Sequence, residues 1–211
     1  MSEEVRVSKI DFKKTLDSYK SKHHQIQIID ILKMQYLMVD GHGDPNSSED
    51  FKNAIEALYP VAYKLKFASK IELNKDYVVM PLEGLWWAED MSSFTTDRDK
   101  SKWDFTLMIM QPDWITKEMF EQAVQKVKEK SPPAKLDQIR LETLDEGKCV
   151  QTLHIGSFDD EAEILAEIHD KFVPENKLKL SGKHHEIYLS DFRKVSPDKL
   201  RTILRQPVMP S

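Results

Sequence analysis

Two stretches of this chain follow the same order, and that repetition constrains the fold more than any single motif. YLMVDGHGDPNSSEDFKNAIEALYPVAYKLK (36–66) and VQTLHIGSFDDEAEILAEIHDKFVPENKLKL (150–180) each run from a strand through a glycine and an acidic helix start into an amphipathic helix that leads to Lys-Leu-Lys. Self-similarity at this spacing predicts duplication of a strand–helix–strand–strand unit. The pseudo-repeats span about 25–131 and 134–211, with Ser131-Pro132-Pro133 between them. Two such units paired about a pseudo-twofold predict an α+β domain: one antiparallel sheet, helices on one face and a groove between the halves. Grooves between packed units are common ligand sites.

The element pattern agrees with this layout. Residues 1–24 are polar, with a short apolar pattern at Ile10, Phe12, Leu16 and Tyr19, and predict an N-terminal arm; residues 25–211 form the domain. Ile26–Val39 reads as one or two strands that stop at Gly41-His42-Gly43-Asp44-Pro45. Ser47 or Ser48 caps a helix with Phe51, Ile55, Leu58, Ala62 and Leu65 on one stripe. Tyr77–Trp87 predicts a strand bent at Pro81 and Gly84, joined through the polar run Glu89–Lys102 to a partner strand, Trp103–Met110. A helix capped at Thr116 follows. Asp145-Glu146-Gly147 between Ile139–Leu144 and Cys149–Ile155 predicts a tight hairpin. Lys183–Lys194 predicts a strand, and Lys199–Val208 is the last apolar segment.

Charge and composition exclude several classes. Acids outnumber bases 36 to 31, against the basic surface that phosphate binding needs, so nucleic acid is not an expected partner. No DNA-binding segment is expected in the short arm. Cys149, the single cysteine, permits neither an internal disulfide nor a multi-cysteine metal site and reads as a buried hydrophobe. The start MSEEVRVSKIDFKK lacks a signal peptide and no apolar run reaches membrane-spanning length, so the expected location is the cytoplasm. No metal or cofactor is expected: His184 and His185 alternate faces in a strand, and Gly41-His42-Gly43 is a turn, not a dinucleotide fingerprint.

The chemistry centres on KHHEIYLSDFRK (183–194). Alternation places Glu186 and Tyr188 on one face and His185, Ile187 and Leu189 on the other, mostly apolar, one. A carboxylate there is either a solvated edge group or a cavity acid; in an aromatic cavity it would bind a cation or deprotonate a water. Tyr188 is a candidate hydrogen-bond donor to a ligand oxygen, or a core tyrosine. Trp86 and Trp87 face opposite ways, and Trp86 is the candidate groove residue. Trp103 is a second candidate ring. Tyr59 and Tyr63 border the groove or cover their helix, Glu83 is a second acid or a surface residue at a bend, and His154 reaches the groove or is structural.

DFKK (11–14), YLMVDGHGDPN (36–46), ALYPVAYKLK (57–66), PLEGLWW (81–87), QPDWIT (111–116), LHIGSFDDE (153–161), GKHHEIYLSD (182–191) and LRTILRQPV (200–208) together resemble the GyrI-like small-molecule-binding proteins, in order over nearly the whole chain. The resemblance implies a duplicated β-α-β-β fold with a central groove for aromatic, hydrophobic or cationic compounds. It places the family's pocket glutamate at Glu186. Related domains sense effectors on MerR-type and AraC-type regulators, inhibit gyrase, or stand alone; some stand-alone members are thought to hydrolyse cyclopropanoid DNA-alkylating compounds. The resemblance therefore implies Glu186 as a catalytic residue of such a hydrolase, to which the residues add Tyr188 as the second catalytic candidate, donating to the substrate's carbonyl oxygen; a non-catalytic drug-sequestering or sensing protein and a gyrase-inhibitor-like protein are the alternatives. Phe192 stands where the pattern has proline after Ser190-Asp191.

Overall fold

The computed structural model describes residues 8–89 and 99–211. Residues 1–7 of the arm and 90–98 of the expected 89–102 connection lie outside the described residues. The strands are β1 (Gln27–Ile31), β2 (Met34–His42), β3 (Glu83–Trp87), β4 (Asp104–Gln111), β5 (Arg140–Leu144), β6 (Gly147–Ile155), β7 (Leu178–Leu180), β8 (His184–Tyr188) and β9 (Arg201–Pro210). They form one antiparallel sheet in the order β1-β6-β9-β8-β3-β4-β2-β5, with β7 added to β9. The central pair, β3 with β8, joins the two halves of the chain.

The helices are α1 (Phe12–Thr15), α2 (Glu49–Glu72), α3 (Lys117–Lys128), α4 (Glu161–Ala166) and α5 (Val173–Glu175). The expected caps hold: Ser48 Oγ accepts from the Phe51 amide, and Thr116 Oγ1 from the Met119 amide. Phe51, Ile55, Leu58, Ala62 and Leu65 are all buried, and α2 lies against β2, β4 and α3. Burying such a stripe contributes about 1.5–3 kcal/mol per large side chain. Between α4 and α5 the chain widens into a π-helical turn at Glu167–Phe172, a departure frequent at functional sites.

The expected hairpin at Asp145-Glu146-Gly147 is not formed. β5 pairs with β2 and β6 with β1, so 27–42 and 140–155 form one bent antiparallel ribbon with Leu32-Lys33 opposite Asp145-Glu146. Gly147 takes φ +60°, which turns the chain, but the Glu146 side chain points into the protein and is bonded by His185 and Arg205. A turn signal reports local backbone geometry, whereas strand pairing follows the side chains that must be buried. Two further boundaries differ. The strand expected over 183–194 ends at Tyr188, and the one expected over 77–87 is strand only from Glu83, with Gly84 inside it.

Candidate functional site

The face of β8 that carries His184, Glu186 and Tyr188 meets Trp86 and Gly84 of β3 across the central pair. The Tyr188 hydroxyl donates to Glu186 Oε2 at 2.7 Å and accepts from Trp86 Nε1–H at 3.0 Å. The position of Gly84 is what allows this. A Cβ there would stand 2.8 Å from Trp86 Nε1 and 3.1 Å from Tyr188 Oη, inside ordinary contact distance. Glu186 opposes Gly84 in the register, so the space a side chain would take there is filled by the Trp86–Tyr188 pair beside the carboxylate.

Rings surround this triad. Phe51 stacks on Trp86 at 6.0 Å, and Phe105 and Trp103 lie 5.5 and 5.9 Å from it. Phe158 and Phe192 meet Tyr188 edge-on at 5.6 and 6.1 Å. Phe192, the departure from the family pattern, thus packs over the site. The Glu186 side chain is 14 % exposed and its Oε1 lies 3.3 Å from His184 Nε2. Burial, then the charge of Glu186 and the hydrogen bond to it, hold the Tyr188 hydroxyl well above the usual phenol range, so it remains a proton donor. Glu161, from the start of α4, is buried and adds to the negative potential at Tyr188. His169, in the π-helical turn, is lowered to about 4 by burial and by the nearby His184.

A cleft of about 590 Å³ opens beside the triad, lined by Ile55, Tyr59 and Tyr63 of α2, Pro81, Leu82, and Tyr188 to Lys194. It reaches the triad at Tyr188; Glu186 itself is not in its wall. Arg193 lies over the Tyr59 ring, and burial raises the Tyr59 hydroxyl.

The opposite face of β8 is not the apolar one expected. His185 is fully buried, with Nε2 2.9 Å from Glu83 Oε2 and Nδ1 2.9 Å from Glu146 Oε1. Arg205 of β9 donates to Glu146 Oε2, to Gln151 Oε1 and to the Ser18 carbonyl, and the Tyr19 hydroxyl donates to Glu83 Oε1 at 2.5 Å. Burial would raise Glu146, but His185 and then Arg205 bring it down to about 2. Burial would lower His185, but Glu146 and the bond to Glu83 outweigh it and leave it raised.

The sequence candidates therefore separate. Trp86, Trp103, Glu186 and Tyr188 come together, and Tyr59 and Tyr63 line the adjoining cleft. Glu83 is neither a groove acid nor a surface residue; it is buried on the other face with His185. His154 Nε2 is bonded to the Ser157 carbonyl at 2.9 Å, at the end of β6. Trp87 faces away from the triad, with the Lys183 ammonium over its ring. Sequence reasoning did not assign Phe51, Phe105 or Phe158 to the site, because in one dimension an aromatic on a helix face or in a strand reads as core, and Phe192 stood out only as a departure from the family pattern. Glu161 was hidden by its role as a helix-start charge. Among the described residues no group of three His, Cys, Asp or Glu side chains is placed to hold a metal ion, and no helix is long and apolar enough to cross a membrane.

A sheet whose central strands carry a carboxylate, a phenol and an indole under a wall of rings defines a small-molecule-binding domain. The chain belongs to the GyrI-like small molecule binding domain family, whose model matches residues 24–209. Among solved structures it is similar to an uncharacterized conserved protein from Listeria innocua, at 37% identity over 95% of this chain and 100% of that one, with a TM-score of 0.86. It is also similar to a hydrolase from Listeria innocua, at 35% identity over 95% and 100%, with a TM-score of 0.83. The C-terminal domain of EcmrR shares the fold alone, at 12% identity over 89% of this chain and 98% of that one, with a TM-score of 0.54. No curated protein matches significantly.

Proposed function

We propose that this protein binds planar, hydrophobic aromatic compounds in the cleft that reaches Tyr188, next to Glu186, and opens the strained ring of those that carry a cyclopropane conjugated to a dienone. The observation that carries the reading is the hydrogen-bond chain from Trp86 through Tyr188 to Glu186 inside a wall of aromatic rings. Tyr188 holds Oε2, which leaves Oε1 as the basic atom. An Oε1-held water gives its proton to the carboxylate as its oxygen attacks a ring carbon. The carbon–carbon bond breaks, its electron pair passes into the dienone, and the resulting phenolate is protonated from solvent while Glu186 releases the proton it took, which restores the carboxylate. The neighbouring Listeria protein described as a hydrolase supports hydrolysis as the class of reaction.

The test is incubation with a cyclopropanoid alkylator and analysis of products by mass spectrometry. The wild type is expected to yield the water-added, ring-opened product and Glu186→Gln to leave the compound intact. Equal persistence of the compound with both proteins overturns the catalytic reading. Sequestration without turnover is the second reading, favoured by the acid–aromatic pairing that suits lipophilic cations. It predicts saturable quenching of tryptophan fluorescence by such cations, weakened in Glu186→Gln, with no product formed. Inhibition of gyrase, a protein-partner role, would instead register in a supercoiling assay.

A further inference from the structure

On the far side of Pro60 and Tyr63 from the groove, α2 and α3 enclose a second cleft of about 350 Å³. Its base is apolar: Pro60, Tyr63 and Phe67 from α2 and Val127 from α3, with Tyr63 48% and Phe67 51% exposed. Around it stand Lys64, Lys126 and Lys130, all exposed, and no carboxylate lines it. Four other lysines of the two helices are held by carboxylates instead. Lys66 and Lys70 are paired to Asp76, Lys117 to Glu121 and Lys128 to Asp137. Lys64, Lys126 and Lys130 make no ion pair among the described residues. In a chain with five more acids than bases, three cations gathered around exposed aromatic surface form a local field opposite in sign to the whole.

We propose that this cleft is a second ligand site, independent of Glu186, and that it takes a free amphipathic anion: an apolar chain or ring that ends in a carboxylate. The apolar part lies on Phe67, Tyr63 and Val127, where removing water from exposed rings stabilises the complex. The carboxylate reaches the ammonium groups at the rim, and their long stems let them converge on it while they stay hydrated. The volume is at the low end of small-molecule sites, which fits a ligand of modest length. A site of this polarity rejects the lipophilic cations expected in the groove, because they would meet three like charges.

Decanoate, below its micelle concentration, is the probe, titrated calorimetrically into the wild type, K126E/K130E, K126R/K130R, Lys64→Glu and Glu186→Gln. One decanoate per chain is expected, with affinity reduced about tenfold in K126E/K130E, since two exposed attractive contacts become repulsive. Lys64→Glu, on the other helix, is expected to weaken binding in the same direction, while K126R/K130R and Glu186→Gln retain it. The proposal is overturned if the wild type does not bind decanoate, if both glutamate variants bind it as the wild type does, or if Glu186→Gln alone abolishes binding. Sedimentation with phosphatidylglycerol vesicles separates the sources of an anionic amphiphile: capture by vesicles without binding of free decanoate assigns the surface to a membrane and also overturns it.

Discussion

His185 and Glu186, adjacent in β8, point to opposite faces of the sheet and belong to different electrostatic systems. The imidazole of His185 is locked between Glu83 and Glu146 in the interior, while the carboxylate of Glu186 meets Tyr188 among rings. The one-residue spacing that separates them also joins them, because the interior bonds hold the strand that presents Glu186.

The interior pairing gives the protein a stability window in pH. The raised His185 contributes stability that is fully present below the usual histidine pKa and is lost as pH rises through its folded value. Glu146, lowered to about 2, contributes stability that is present above the usual glutamate pKa and is lost as pH falls toward 2. Thermal unfolding across pH is expected to show both flanks, and Glu146→Gln is expected to flatten the acid one. That variant should cost about 3–5 kcal/mol, because it leaves His185 and Arg205 buried without their shared anion. Denaturant midpoints measure it.

Gly84→Ala separates site geometry from overall folding. The added methyl would press on Trp86 Nε1 and Tyr188 Oη. Overpacking of this kind costs about 1–3 kcal/mol. The expected outcome is a folded protein in which quenching of tryptophan fluorescence by planar ligands is weakened more than stability is; unchanged binding would show that the indole–phenol bond does not shape the groove.

Tyr188→Phe removes the donor to Glu186 and leaves the Trp86 N–H without its acceptor. Losing a buried partner costs about 1–3 kcal/mol. If the protein catalyses the proposed ring opening, kcat/KM is expected to fall about tenfold or more, with the loss mainly in kcat, since the carboxylate is no longer held in place. A loss confined to KM would instead assign Tyr188 to ligand binding.

Cys149 should be silent to thiol reagents in the folded protein. Burial, followed by the charge of Glu146, pushes its thiol up to about 12, and only the thiolate reacts. Alkylation by iodoacetamide at pH 8 is expected to proceed only at the rate of unfolding, and to become immediate in denaturant.

Much of the architecture is legible in one dimension because it rests on local rules. Ser48 and Thr116 cap their helices through their own hydroxyls, and the stripe from Phe51 to Leu65 buries one face whatever lies beneath it. The site was legible in part for the same reason: the alternation of HEIYL puts Glu186 beside Tyr188. Its walls were not, since Phe51 and Phe158 come from other elements to meet Trp86 and Tyr188, which themselves lie 102 residues apart in sequence.

The sequence by itself determined the alternation of β8, the caps and the α+β class, because each follows from backbone period and local hydrogen bonding. Only the tertiary structure decided what each face of β8 meets. A period of two fixes that His185 and Glu186 diverge, but burial and charge depend on partners brought by other strands. Pairing 27–42 with 140–155 carried Glu146 inward to His185 and Arg205, where the sequence predicted only the turn of a hairpin.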